Sequence, residues 1–219
     1  MIADVIIPAY NESERLAETL TALKGQTWVN KIILIDDGST DDTKGIALEF
    51  TDAVYSHEVN KGKAEAVFTG LSKLTGEWVI LLDADLGGTA TEAEKLLIPL
   101  ENKLVDMSIA MLPNLKKKGF GLVKNRAKNI VLKQTNVHLH SPLSGQRAFH
   151  HSWVPYILSG KGVGYGLEIY LNLLFLKHGA IIKEVNTEMA HRETGKNLKG
   201  FYHRAKQWLE MELTIWNYS

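Results

Sequence analysis

The segment LLDADL at residues 81–86 places two carboxylates directly after an apolar stretch. Asp83 and Asp85 alternate with Ala84, so in an extended chain their side chains lie on the same side. Carboxylate oxygens are hard ligands that suit Mg²⁺ or Mn²⁺, and a cation held there could bridge a diphosphate. Because a triplet this short also occurs in solvated loops, the prediction depends on the elements that position it.

The segment PAYNE at residues 8–12 follows a short apolar run that ends at proline. Tyr10 offers a flat surface to a nucleoside base, and Asn11 and Glu12 offer polar groups to a ribose or a base. The same segment also fits a strand end followed by a helix N-cap, a position that Asn11 suits.

The segment IDDGSTD at residues 35–41 has the same arrangement after a second apolar run. The carboxylates of Asp36 and Asp37 can accept an N–H from uracil or guanine. Taken alone, the segment is more typical of a turn with a helix cap supplied by Ser39 or Thr40.

The segment NKGKAEA at residues 60–66 places a glycine beside Lys63 at the start of a predicted helix. Backbone N–H groups and the helix dipole favour an anion at such an end, and the lysine adds positive charge. The spacing is not that of a Walker loop. An exposed helix N-terminus is the alternative to a phosphate site.

These segments punctuate an alternation of strands and helices. Apolar strands are predicted at residues 3–8, 31–35, 53–56, 78–82 and 105–111, and helices between them, the last at 92–100. Near-continuous apolar strands alternating with helices indicate a parallel sheet covered on both faces. Such sheets bind ligands at the carboxyl ends of their strands, which is where the polar segments fall.

The second half is less regular. It predicts a basic helix at 119–134, a loop leading into a strand at 141–149, a helix at 166–178, a strand at 180–185 and a final helix at 198–216. No linker or internal repeat divides the chain, so we expect one domain over residues 1–219.

Composition narrows the compartment and the partners. There is no cysteine, and 25 Lys and Arg balance 25 Asp and Glu, which does not favour nucleic acid. No signal peptide or membrane span is predicted, so a cytoplasmic protein is expected. The apolar stripe of the final helix indicates packing on the domain. Its alternatives are a homodimer contact or peripheral attachment to the cytoplasmic face of a membrane.

In this order and spacing, the four polar segments resemble those of family 2 glycosyltransferases. The resemblance implies the GT-A fold, a Rossmann-like α/β fold whose mostly parallel sheet has helices on both faces. It implies a nucleoside site formed by Pro8, Ala9, Tyr10, Glu12, Asp36 and Asp37. It also implies a diphosphate and Mn²⁺ or Mg²⁺ site formed by Lys63, Asp83, Ala84 and Asp85, with Asp85 on the metal. Ala64 departs from the second glycine of many relatives.

The resemblance implies that residues 1–112 bind the nucleotide sugar and residues 113–219 the acceptor, although the second half extends it more loosely. The segment SPLSGQRAF resembles the acceptor side of the family, which implies acceptor contacts from Leu143, Ser144, Gly145 and Arg147. His191 matches the histidine that often completes the metal site, and an imidazole suits Mn²⁺. Glu168 is the best candidate for a base that deprotonates an acceptor hydroxyl.

Two branches of the family offer different acceptors. Polyprenyl-phosphate glycosyltransferases need no base, and the basic stretch 115–128 could attract a lipid phosphate, or it could be a solvated loop covering the site. The segments PLSGQ, GYGLEI and AHR resemble retaining glucosyl-3-phosphoglycerate synthases, in which a backbone carbonyl near Leu143 would stabilise the developing cation. However, Gly121, Val123 and Glu193 replace that branch's Arg, Thr and Asn, which speaks against phosphoglycerate.

The sequence therefore predicts a metal-dependent glycosyltransferase with a UDP-sugar donor, while a GDP-sugar stays open. The acceptor is unknown, with a lipid phosphate or a cell-envelope glycan precursor in view. Besides the retaining synthase, the alternatives are a sugar-1-phosphate nucleotidyltransferase and a non-catalytic subunit that binds sugar nucleotides.

Overall fold

The computed structural model describes residues 1–101, 103–113, 121–160 and 166–191. Its strands are β1 Ala3–Ala9, β2 Val29–Asp36, β3 Val54–Ser56, β4 Trp78–Leu81, β5 Met107–Met111, β6 Arg147–His150 and β7 Ile182–Asn186. Its α-helices are α1 Ser13–Leu23, α2 Thr43–Leu48, α3 Lys63–Leu71, α4 Gly121–Thr135, α5 Val154–Leu158 and α6 Leu167–Lys177.

The strands of the described part form one seven-stranded sheet in the order β3-β2-β1-β4-β6-β5-β7. The pairs β1–β2, β1–β4, β2–β3 and β5–β7 are parallel. Strand β6 lies between β4 and β5 and is antiparallel to both. The predicted mostly parallel α/β sheet is confirmed, and the insertion of β6 brings the segment before it beside the end of β4.

Helices cover both faces of the sheet, as expected. On one face, Ile6 of β1 packs in a core with α3, α4 and α6. On the other, Val5 and Ile7 pack with Leu16 and Leu20 of α1. Because side chains alternate along a strand, a continuous apolar run such as that of β1 can fill both cores.

Two local predictions require correction. The expected helix at 92–100 consists of 3₁₀ helices at Gly87–Leu96 and Ile98–Leu100. Glycines open the first of these and Pro99 lacks an N–H, which together disfavour a regular α-helix. Asn11 is not the N-cap of α1, because Glu12 occupies that position.

Asn11 instead joins the loops after β1 and β2. Its φ of 56° is left-handed, its N–H donates to Ser39 Oγ at 3.0 Å, and its Oδ1 accepts from Thr40 N at 2.8 Å. Asparagine tolerates this conformation better than most residues. The contact ties together two of the segments expected at the nucleoside.

The predicted final helix at 198–216 and residues 115–120 of the basic stretch lie outside the described residues. The remainder of that stretch begins α4. Within the described part, no helix has the length and apolar character needed to cross a bilayer.

Candidate active site

The parallel pairing of β1 with β2 and β4 brings three polar segments to one edge of the sheet. Ala9 is paired with Asp36, and Ile6 with Leu81, so the chains leaving these strands emerge side by side. The residues that follow β4 include Asp83 and Asp85. The edge is the one at which ligands bind in open α/β sheets.

Asp83, Asp85 and His191 meet at this edge, and their potential ligand atoms all lie within 4.8 Å of one another. His191 Nδ1 is 3.0 Å from Asp85 Oδ1, and its Nε2 is 3.7 Å from Asp83 Oδ2. Burial of the ring opposes its charge, but the hydrogen bond to Asp85 and the charge of Asp83 raise the pKa of His191. The three predicted ligands are thus brought together.

Lys63, in the first turn of α3, lies between two acids. Its Nζ is 2.7 Å from Asp83 Oδ1 and 3.1 Å from Glu168 Oε1. Burial disfavours the ammonium, yet the two carboxylates raise the pKa of Lys63, so it is charged at neutral pH. Burial also disfavours the Asp83 carboxylate, but the charges of Lys63 and His191 lower its pKa.

The donor set of the three converging side chains fits a divalent ion. Two carboxylates and one imidazole are ligands that both Mn²⁺ and Mg²⁺ accept, with the imidazole favouring Mn²⁺. Ligation requires a neutral imidazole, so binding an ion would release the proton that Asp83 and Asp85 now favour on His191. The residues present therefore fit the predicted Mn²⁺ or Mg²⁺, and the ligation of the ion by these three side chains stays a prediction.

The expected nucleoside residues lie at the neighbouring strand ends. Ala9 is buried, Pro8 and Glu12 are half-buried, and Tyr10 is 46% exposed with its ring at the surface. Asp36 is buried, and its Oδ1 accepts from Ser39 N at 3.0 Å. The contacts that these residues would make with a nucleoside stay predictions.

The carboxylate of Asp37 forms hydrogen bonds within the protein. Its buried carboxylate accepts from Lys61 N at 2.9 Å and Gly62 N at 2.8 Å. It also contacts His57 Nδ1 at 2.7 Å. Its oxygens therefore hold the chain that leads into α3, and a contact with uracil stays a prediction.

The acceptor-side segment is packed directly against the acids. An added Cβ at Gly145 would lie 2.6 Å from Lys63 Nζ and 3.1 Å from Asp83 Oδ1, so only glycine fits without displacing them. Ser144 is buried and Leu143 is half-buried. Of the four predicted acceptor residues, these three lie at or beside the site.

Arg147 lies beneath the site rather than on its surface. It is fully buried, and its guanidinium donates to Ser144 O, Pro142 O and Asn172 Oδ1. Burial lowers its pKa to about 10, against the opposing effect of the Glu168 charge. These bonds give Arg147 a supporting position, and the acceptor contact predicted for it stays a prediction.

Two residues that were not predicted from the sequence fix the side chain of Asp83 and the backbone around Asp85. Gln146, fully buried, donates from Nε2 to Asp83 Oδ2 at 2.7 Å and accepts from Ser144 Oγ. Thr19 of α1 donates to Ala84 O and accepts from Gly87 N, both at 2.8 Å. Gln146 belongs to the segment SPLSGQRAF, so its role could have been predicted from the sequence. Nothing in the sequence around Thr19 indicates the role of that residue.

Comparison with known proteins agrees with this geometry. Solved structures of glucosyl-3-phosphoglycerate synthase from Mycobacterium tuberculosis are similar, and each alignment covers 98% of this chain and 78% of the synthase. The complex with Mn²⁺, UDP-glucose and phosphoglyceric acid is 26% identical, with a TM-score of 0.75. The complex with Mn²⁺, UDP and glucosyl-3-phosphoglycerate is 25% identical (TM-score 0.77), and that with Mg²⁺ and UDP is 24% identical (TM-score 0.80).

The fold expectation is confirmed by these likenesses, because the shared architecture is that of GT-A enzymes. The family model described as Glycosyl transferase family 2 matches residues 4–152, which is more than half of the chain. That match favours glycosyl transfer over the nucleotidyl-transfer alternative. The chain is a glycosyltransferase and belongs to glycosyl transferase family 2.

Proposed function

We propose that this chain transfers a sugar from UDP to an acceptor in a reaction that requires Mn²⁺ or Mg²⁺ at Asp83, Asp85 and His191. The observation that carries the proposal is the convergence of these three side chains within 4.8 Å at the end of β4. The ion would offset the charge of the leaving diphosphate. The single unit 1–219 and a cytoplasmic location are part of the same proposal.

The remaining residues of the site would prepare the donor for departure. Lys63 stands 2.7 Å from Asp83 and carries a positive charge, so it can contact a phosphate held beside that carboxylate. Gln146 fixes the orientation of Asp83 through its 2.7 Å hydrogen bond. Tyr10 and Asp36 are assigned to the nucleoside because they follow β1 and close β2 at the same edge.

UDP is the preferred carrier, and UDP-glucose is the first donor to test. The support is that similar synthase structures contain UDP or UDP-glucose with Mn²⁺. A GDP-sugar is the comparison donor, since guanine also offers an N–H to a carboxylate.

Glu168 is the group that we assign to the acceptor hydroxyl. It opens α6 beside the acids, with 14% of its side chain exposed, and its Oε1 is 3.1 Å from Lys63 Nζ. If Lys63 turns towards the donor phosphate, Oε1 of Glu168 is released from its contact with Lys63 and is available to accept the proton of the acceptor hydroxyl. This assignment corresponds to inversion at the anomeric carbon.

Retention is the second candidate, and one arrangement favours it. The carbonyls of Pro142 and Ser144, on either side of Leu143, accept hydrogen bonds from the buried Arg147. Asn172 Nδ2 also donates to Pro142 O at 2.8 Å. These bonds hold the backbone at Leu143 in one orientation, as stabilisation of a developing cation by its carbonyl would require.

The acceptor is proposed to be anionic. A cell-envelope glycan precursor would present the hydroxyl assigned to Glu168, whereas a lipid phosphate would need no base and would leave Glu168 to position the acceptor. Phosphoglycerate, which accompanies a similar synthase, is the alternative. Gly121, where the resemblance to that branch would place an arginine, has open space around the position of a Cβ. The absence of a guanidinium there argues for a different acceptor.

The test combines binding with turnover. UDP-glucose and Mn²⁺ together should raise the melting temperature, because ligands that bind the native state stabilise it, and EDTA should abolish the shift. Acceptors are then screened for UDP release, and NMR of the product's anomeric proton separates inversion from retention. Wild-type activity of Asp85→Asn, or activity in excess EDTA, would refute the metal-dependent function.

A further inference from the structure

We propose that His57 is a positioning residue for the donor diphosphate, which it serves by fixing the chain at residues 60–63. The inference rests on the proposed function, since it assigns the phosphates to the start of α3. His57 follows β3 and belongs to none of the segments from which the function was predicted. Its ring nitrogens contact Asp37 and Thr69 and none of the predicted metal ligands, so its effect on the diphosphate must pass through other residues.

His57 joins two elements through its two ring nitrogens. Nδ1 is 2.7 Å from Asp37 Oδ1, after β2, and Nε2 is 2.9 Å from Thr69 Oγ1, on α3. The side chain of His57 is 8% exposed and that of Asp37 is 4% exposed. Hydrogen bonds shielded from solvent in this way are directional, and these two hold the imidazole ring of His57 in one orientation.

Asp37 passes this restraint to the backbone before α3. Its Oδ1 accepts from Lys61 N as well as from His57, and its Oδ2 accepts from Gly62 N. Its carbonyl accepts from Asn60 Nδ2 at 3.2 Å. The carboxylate can satisfy both amides only in one rotamer, and the bond from His57 favours that rotamer.

The restrained chain is the one that presents Lys63 to the acids. Gly62 is the N-cap of α3 with a φ of 95°, a conformation that costs other residues energy. The next residue, Lys63, is 2.7 Å from Asp83 Oδ1. A small shift at residues 61 and 62 therefore moves both the N–H groups of the helix start and the ammonium relative to the metal ligands.

Close packing of the loops after β2 and β3 adds to the same restraint. A Cβ at Gly38 would lie 2.6 Å from the carbonyl carbon of Val59 and 2.7 Å from Asn60 N, so the two loops are in backbone contact. Thr69 fixes the other end, because it lies on α3 and its hydroxyl meets His57. The hydrogen-bonded series Thr69–His57–Asp37 thus fixes the start of α3 relative to the rest of that helix.

The experiment compares His57→Ala, His57→Asn and Thr69→Val with the wild type. Calorimetry measures the Kd of UDP in saturating Mn²⁺ well below the melting temperature, and NMR hydrogen exchange measures protection of the Lys61 and Gly62 amides without ligand. His57→Ala should weaken UDP binding about 10-fold and speed exchange at both amides about 10-fold, because roughly two hydrogen bonds are lost. His57→Asn, whose amide can replace Nδ1 towards Asp37, should recover most of both effects.

Controls separate positioning from loss of stability. Thr69→Ser keeps the hydroxyl and should behave as the wild type, whereas Thr69→Val should show a smaller effect than His57→Ala. His138→Ala, at an exposed histidine outside this cluster, should change neither readout. Wild-type UDP affinity in folded His57→Ala, with or without faster exchange, overturns the proposal. Failure of the wild type to bind UDP and Mn²⁺ refutes the proposed function, and the exchange rates then still decide whether His57 holds the chain.

Discussion

Replacement of Gln146 by methionine tests whether the orientation of Asp83 determines metal binding. Methionine conserves the approximate volume but offers no donor to Asp83 Oδ2, which now accepts at 2.7 Å. Gln146 is fully buried, and its Oε1 also accepts from Ser144 Oγ, so the substitution leaves that hydroxyl without its acceptor. A hydrogen bond to a charged group contributes about 1.5–3 kcal/mol.

The loss should appear mainly at the metal. Outer-shell partners of metal ligands typically change affinity or activity about 10–100-fold, which matches the free energy of the lost bond. We therefore expect Gln146→Met to raise the Kd for Mn²⁺, measured calorimetrically in the presence of UDP, by about 10–100-fold. The rate of UDP release at low Mn²⁺ should fall by a similar factor, and saturating Mn²⁺ should restore most of it.

The matched control is Ser144→Ala, which removes the hydroxyl but leaves the bond between Gln146 and Asp83. Its Mn²⁺ affinity should stay within a few-fold of the wild type. Circular dichroism establishes that both variants are folded. A folded Gln146→Met protein with wild-type Mn²⁺ affinity would show that Asp83 needs no orienting partner, and the assignment of Gln146 would have to be abandoned.

Three other perturbations probe separate parts of the site. Gly145→Ala should weaken UDP binding about 10-fold with little change in melting temperature, since its Cβ would displace the flexible end of Lys63; unchanged affinity would contradict this packing. Thr19→Val should lower the free energy of unfolding, measured in urea, by about 2–3 kcal/mol, because two buried backbone groups lose their partner. Thr19→Ser keeps the hydroxyl and should retain most of the wild-type free energy of unfolding. Hydrogen bonds from Thr43 and Ser13 outweigh burial and lower the pKa of Asp41 from 3.8 to about 2. The ionised carboxyl therefore stabilises the fold above about pH 4, and this contribution is lost as the pH falls towards 2. Asp41→Asn should cost about 1 kcal/mol at pH 7, once solvent screening of this exposed group is allowed for, and nothing near pH 2; a difference independent of pH would refute the assignment.

The strand ends of the first half were predictable because their signals are local. A buried strand needs only a short apolar run, and the polar residue after it marks the edge of the sheet. The sequence alone was thus enough to assign Asp83, Asp85 and Lys63 to one edge of the sheet. His191 required the resemblance to a family, because a lone histidine carries no comparable local signal.

The two predictions that were wrong failed for different reasons, the first local and the second tertiary. A glycine-rich start and a later proline disfavour a regular helix, yet periodicity alone indicated one at 92–100. Asn11 has the composition of an N-cap but contacts the loop after β2 instead. Its side chain can satisfy either backbone, and only the proximity of the second loop selects between them.

The position of two carboxylates after a buried strand follows from residue types and order, whereas the histidine ligand and the class of reaction were implied by the resemblance of the polar segments to a known family. The side-chain hydrogen bonds that orient the residues of the site join partners far apart along the chain: Gln146 to Asp83, His57 to Asp37, and Arg147 to Asn172. Glutamine, histidine and arginine are common on surfaces, so their types do not reveal burial. The antiparallel insertion of β6 beside β4 brings Gln146 to Asp83, although these two strands are distant in sequence. The parallel alignment of β2 with β3 pairs Asp36 with Ser56, and His57 meets Asp37 because each residue directly follows its strand at the same edge of the sheet.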